Sequence, residues 1–218
     1  MLHLTYRAPK GRVSNMSVMT PNLLVMPASP ALVAELSPQD TIGAAALATL
    51  RELIDALPDA LPIELVGSRN PRWETACEGS FRAWGAPHVN VGAGRFLPEL
   101  VQRYALAERA SRVVSVRGTL GQPAEGVITI VAVDGSAGLT PRAPLALLEA
   151  APRAHEWCRA VLGGEDVAGE MDAASLRTAG VIEPDLWMEL AALAPREAQV
   201  HFADLSLGVG RFVAGWEL

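Results

Sequence analysis

Lysine is almost missing from this 218-residue chain: Lys10 is the only one, and arginine supplies the rest of the positive charge. At a net charge of −6, the protein lacks the basic face that a nucleic acid or an anionic membrane surface requires. With the heavy alanine content, the lysine shortage reads as a high-GC coding bias rather than a functional choice. Cysteine is nearly as scarce. Cys77 and Cys158 are too few for a disulfide framework and neither sits in a CxxC motif, so reduced cytosolic thiols and a cytoplasmic protein are the expectation. No apolar run approaches the roughly 20 residues that span a bilayer. Arg7, Lys10 and Arg12 are followed by no apolar stretch, which excludes a secretory signal. Residues 1–18 match no structural period and are expected to be a disordered leader, or to precede a true start at Met16 or Met19. Internal repeats and low-complexity linkers are absent too. What is present, 50% hydrophobic against 19% charged residues, is enough for one sizeable core, and one domain over 19–218 is expected.

The apolar runs Asn22–Met26, Ile63–Val66, Arg112–Val116 and Val127–Val133 read as strands, Ile63–Val66 and Val127–Val133 as buried ones. Each of the first two stops at a turn, Pro27-Ala28-Ser29-Pro30 and Gly67-Ser68-Arg69-Asn70-Pro71, where proline forbids a continuing ladder. Asp40 is placed to cap a helix over Thr41–Leu57, with Ile42, Ala46, Leu50 and Ile54 along one stripe. A second amphipathic helix is predicted over Phe96–Arg109, and further helical segments over Leu145–Leu162 with breaks, Asp172–Ala179 and Glu183–Leu193. Trp73–Val91 has no period and reads as a covering loop or inserted hairpin, with a short strand near His88–Val91. Gln199–Leu205 and Val209–Trp216 read as a closing strand pair. Strands alternating with helices, followed by a hairpin, predict a single three-layer α/β/α domain with a mixed, mostly parallel sheet.

The strand Val127–Val133 breaks into Asp134-Gly135-Ser136-Ala137-Gly138, a turn that exposes backbone beyond a strand's carboxyl end, where α/β sheets hold their ligands. In order along the chain, Leu23 to Val33, Val133 to Leu139 with Ala143-Pro144, and Gly208-Val209-Gly210-Arg211-Phe212-Val213-Ala214 make up a set of words. The set resembles the class III extradiol ring-cleavage dioxygenase superfamily of the B-subunit type, and more closely its Memo-like branch. The resemblance covers the chain from about Asn22 to its end and implies that family's fold. It also implies Fe(II) held by two histidines and a carboxylate, with a further histidine as acid/base. The matching positions here are Ala28, the turn 67–70 and Ala137, none of which carries a histidine, while the carboxylate position falls in 178–183, where Glu183 alone could serve.

The expectation is therefore an extradiol-dioxygenase-like protein without its iron site or any other cofactor, acting as a small-molecule binding or interaction module. Ser29, Ser68, Asn70, His88, Asp134 and Ser136 are the candidate cleft residues, offering hydroxyls, backbone N–H groups and one carboxylate to a small ligand at the strand ends. One alternative keeps an Fe(II) enzyme with relocated ligands, His88 and Glu183 among them. The other is a non-catalytic subunit of a homo- or hetero-oligomer, which exposed Trp73, Trp84 and Trp187 would favour. His155 and Cys158 stand three apart on a helix, a spacing met more often on a half-buried face than at a metal. His201 reads as a sheet-face residue, and His3 lies in the leader. Ser136 is not a nucleophile elbow, because Gly135 directly precedes it and Thr140-Pro141 delays any helix.

Overall fold

A computed structural model describes residues 19–218; the leader reading of 1–18 lies outside them. The chain runs through β1 (Leu23–Met26), α1 (Thr41–Ala56), β2 (Ile63–Gly67), β3 (Ser80–Phe81), β4 (Ala86–Asn90), α2 (Leu97–Leu106), β5 (Val113–Arg117) and β6 (Ile128–Ala132). It continues through α3 (Ala151–Leu162), α4 (Ala173–Thr178), α5 (Asp185–Ala191), β7 (Glu197–Asp204) and β8 (Arg211–Glu217). Six strands form one sheet in the order β5-β2-β6-β1-β8-β7. β5, β2, β6 and β1 pair in parallel, whereas β8 runs antiparallel to both β1 and β7. β3 and β4 make the hairpin expected within 73–91, although β4 begins at Ala86 rather than at His88.

The central strands are mostly apolar, with Glu64 and Thr129 the exceptions in β2 and β6, because both of their faces are covered. Leu24, Met26, Ile63, Leu65, Ile128 and Ile130 point into one core with α1, α2 and the β3–β4 hairpin. Leu23, Val25, Val66, Val131, Phe212, Ala214 and Trp216 point into a second core with α3, α4 and α5. The protein is thus a three-layer α/β/α domain with a mixed sheet. Trp216 donates its indole N–H to the Leu162 carbonyl at 2.8 Å, so a large ring is buried without an orphaned donor.

Local signals set most element ends. Asp40 caps α1 by accepting the Gly43 N–H at 2.8 Å, and Asp172 caps α4 by accepting the Ser175 N–H at 2.7 Å. The buried stripe of α1 is Gly43, Ala46, Leu47, Leu50 and Ile54, which includes Ala46, Leu50 and Ile54 of the expected one, while Ile42 is only half-buried. α3 starts at Ala151, not Leu145, because residues 145–150 leave their carbonyls and N–H groups to other partners. Leu145 N–H reaches the Ala137 carbonyl and Leu148 N–H the Gly138 carbonyl, tying this segment to the turn after β6. Among the described residues, no helix is long and apolar enough to cross a membrane.

Candidate functional site

Strand topology makes the crevice. β6 lies between β1 and β2, and the chain leaving β1 and β2 turns to the α1–α2 layer while the chain leaving β6 turns to the α3–α5 layer. Loops that diverge to opposite faces leave a gap at the carboxyl end of the strand between them. A pocket of about 190 Å³ occupies that gap. Its floor is Ala132, Val133 and Asp134, one wall is Ala28, Ser29 and Pro30, and the other is Ser68 and Trp73. Leu97 and Pro98 at the start of α2 close it on one side, and Ile182, Glu183 and Leu186 on the other.

Asp134 is the polar centre of this pocket. Its Oδ1 accepts the Ala28 N–H at 3.1 Å across the β1–β6 gap, and the Ser29 N–H also favours its charge. Its own carbonyl accepts the Trp187 indole N–H at 2.8 Å, which fixes the turn from the α5 side. Desolvation at the pocket floor outweighs those N–H bonds and the attraction of Arg211, and lifts the carboxyl from 3.8 to about 6. Arg211 is itself engaged: its Nη1 lies 2.6 Å from Asp40 Oδ2, both side chains being nearly buried.

Glu183 stands at the pocket rim. Its Oε1 accepts the Trp73 indole N–H at 3.1 Å and lies 3.9 Å from Arg72 Nε. This joins the turn after β2 to the segment ahead of α5. The hydroxyl oxygens of Ser29 and Ser68 accept the N–H groups of Ala31 and Asn70, each at 3.2 Å. Those are short ST-type turns, and they leave each hydroxyl proton and one lone pair free for the pocket.

The other candidates stand elsewhere. Ser136 is fully buried behind the pocket, donating to the Ala179 carbonyl at 2.5 Å and accepting the Gly138 N–H at 3.1 Å. It is a structural tie, placed there because residues 135–139 pair with 208–210 and turn alternate side chains inward. Gly135 N–H meets the Gly210 carbonyl at 2.9 Å, and a Cβ on Gly135 would stand 2.9 Å from that oxygen, so the close approach demands glycine. Asn70 caps a 3₁₀ turn over Pro71–Trp73 and borders a neighbouring depression with Arg72, Arg177 and Glu183. His88 sits on exposed β4, in a separate shallow depression with Arg51 and Tyr104. Sequence reasoning overlooked the apolar walls: Trp73, Leu97, Pro98, Ile182, Leu186 and Val209. Only Trp73 had a usable signal, being three residues past the Asn70-Pro71 turn that ends β2.

The tryptophans do not supply the exposed aromatic patch that would favour a subunit role. Trp187 is fully buried, and Trp73 and Trp84 pack against the core beside α2, so the three form no exposed aromatic patch. His155 is stacked on Phe212 with ring centroids 5.0 Å apart, and burial holds its pKa below the usual imidazole range. Its neighbour Cys158 is buried in the same core, where desolvation pushes the thiol well up.

These positions test the fit of an iron centre. A two-histidine, one-carboxylate site needs imidazoles facing the pocket, and among the described residues the ionisable side chains lining it are Asp134 and Glu183. His88, His155 and His201 stand on β4, α3 and β7, away from that lining, so this donor set does not suit Fe(II). Among the described residues, no three His, Cys, Asp or Glu side chains come close enough to share a metal ion. No family model matches the chain, and no curated protein matches it significantly.

Proposed function

We propose that this protein is a small-molecule binding module on an extradiol-dioxygenase-like scaffold, with the strand-end pocket as its ligand site. The observation that carries the reading is a mainly apolar pocket at the point where the loops diverge, with one carboxyl group on its floor. Apolar walls with a few placed polar groups are the composition of ligand sites in general. The resemblance in Leu23 to Val33, Val133 to Leu139 and Gly208 to Ala214 supports the scaffold, since those segments supply the pocket's floor, one wall and part of its rim. In this reading ring cleavage is lost together with the histidines, and no reaction step is assigned to Asp134 or Glu183.

The test is a fragment screen by protein-observed NMR on the full chain. Shifts clustered on Ala28, Ser68, Val133 and Leu186 are expected, and an Ala132→Phe substitution, which fills the floor, should abolish them while a cooperative unfolding transition persists. Hits that map only to other surfaces, or that survive the filled pocket, would overturn the reading.

A further inference from the structure

We propose that the pocket selects a small primary amine, its protonated nitrogen seated against Asp134 and the hydroxyls of Ser29 and Ser68. The inference rests on the binding-module reading above and narrows it to one ligand class.

Charge is the first argument. Among the described residues, both ionisable side chains that line the pocket are carboxylates, and no arginine or histidine lines it. An anionic ligand would bring a third negative charge into a poorly hydrated space, at a cost that no pocket cation offsets. The groups facing Asp134 can be named element by element. From the β1 side come only the Ala28 and Ser29 N–H groups; from α5 comes the Trp187 indole, on the carbonyl; from β8 comes Arg211. Arg211 is spoken for by Asp40, whose other oxygen caps α1. Glu183 adds negative charge at the rim, partly answered by Arg72. The floor therefore carries a carboxylate whose Oδ1 is held by backbone and whose Oδ2 is left to a ligand.

Hydrogen-bond inventory is the second. An ammonium group has three donors and no acceptor. Asp134 Oδ2 and the free lone pairs of Ser29 and Ser68 are three acceptors on the same pocket. A neutral alcohol, with one donor, would leave acceptors unfilled and Asp134 uncompensated. Size is the third. An apolar cavity of about 150 Å³ takes benzene, so the 190 Å³ here suits one ring or a short chain with a single head group. Trp73, Pro98 and Leu186 would cover that hydrocarbon part.

Four probes separate the possibilities by isothermal titration calorimetry on the full chain: benzylamine, butylamine, benzyl alcohol and benzoate. At about pH 7.5 benzylamine should bind about tenfold or more tighter than benzyl alcohol, because a hydrogen bond between two ions is about twice as strong as a neutral one. The preference should vanish at about pH 5, where Asp134 takes up its proton, and in Asp134→Asn. The pH arm needs no substitution, so it stands even if that variant folds poorly. Equal affinities for amine and alcohol, or tighter benzoate, would refute amine selection while leaving a ligand pocket in place. Amine binding that is unchanged in Asp134→Asn and at the lower pH would refute the seat on Asp134. Failure of all four at millimolar concentration, alongside fragment hits in the same pocket, refutes the amine alone; failure of both refutes the binding module too.

Discussion

Replacing Asp134 by asparagine should make this protein more stable at neutral pH, and the gain should disappear in acid. The carboxyl sits in the folded protein at about 6 against an ordinary value of 3.8. Burial is the dominant cause, and it penalises the charged form. A carboxyl raised by folding binds its proton more tightly in the native state, so native stability falls as pH climbs from 3.8 towards 6. The distance between those values, at about 1.4 kcal/mol per pH unit, amounts to about 3 kcal/mol lost by pH 7. Asparagine keeps an oxygen for the Ala28 N–H and carries no charge. Urea unfolding of both proteins across acid and neutral pH isolates the effect, since every other carboxylate cancels in the comparison. The expected result is near-equal stability at about pH 4 and an advantage of about 2–3 kcal/mol for the variant at about pH 7.5. A variant that is less stable at neutral pH, or a difference that does not change with pH, would refute the reasoning. A residue that destabilises its own fold at working pH is what a ligand site predicts, because the group is kept for what it binds.

Two further outcomes follow from the packing. Asp40→Ala removes the α1 cap and strands the buried Arg211 guanidinium, so a loss of about 4 kcal/mol is expected in urea unfolding, whereas Asp40→Asn should keep most of the cap and lose about 3. A loss below about 1 kcal/mol for the alanine variant would mean that the Arg211 pair contributes nothing. Titration of the native protein with a thiol reagent should modify half-buried Cys77 alone, with Cys158 reacting only in denaturant, because it is fully buried and its thiol is held well above the usual range. Two fast thiols in the folded protein would contradict that burial.

Periodicity and composition were enough for the layers. The apolar runs marked the strands, those of β1, β2 and β6 being covered on both faces while β5 lies at the sheet edge with Val114 exposed, and Asp40 and Asp172 stand at helix starts because a short acidic side chain accepts the first free N–H groups. The turn after β6 was legible as a candidate site because it follows a strand's carboxyl end, and Ser29, Ser68 and Asp134, named with it, line the pocket there. Tertiary structure decided the rest. Whether Ser136 faced the pocket or the core depended on the pairing of 135–139 with 208–210, a contact between segments some 70 residues apart. His88 and Glu183 could be imagined together only until the hairpin carried one away from the pocket that the other borders. Whether Trp187 was exposed could not be read from the chain, and it is buried with its indole N–H on the Asp134 carbonyl. The lift of that carboxyl to about 6 was likewise invisible in the chain, since local sequence fixes that a residue can ionise, while burial in the folded protein sets what ionisation costs.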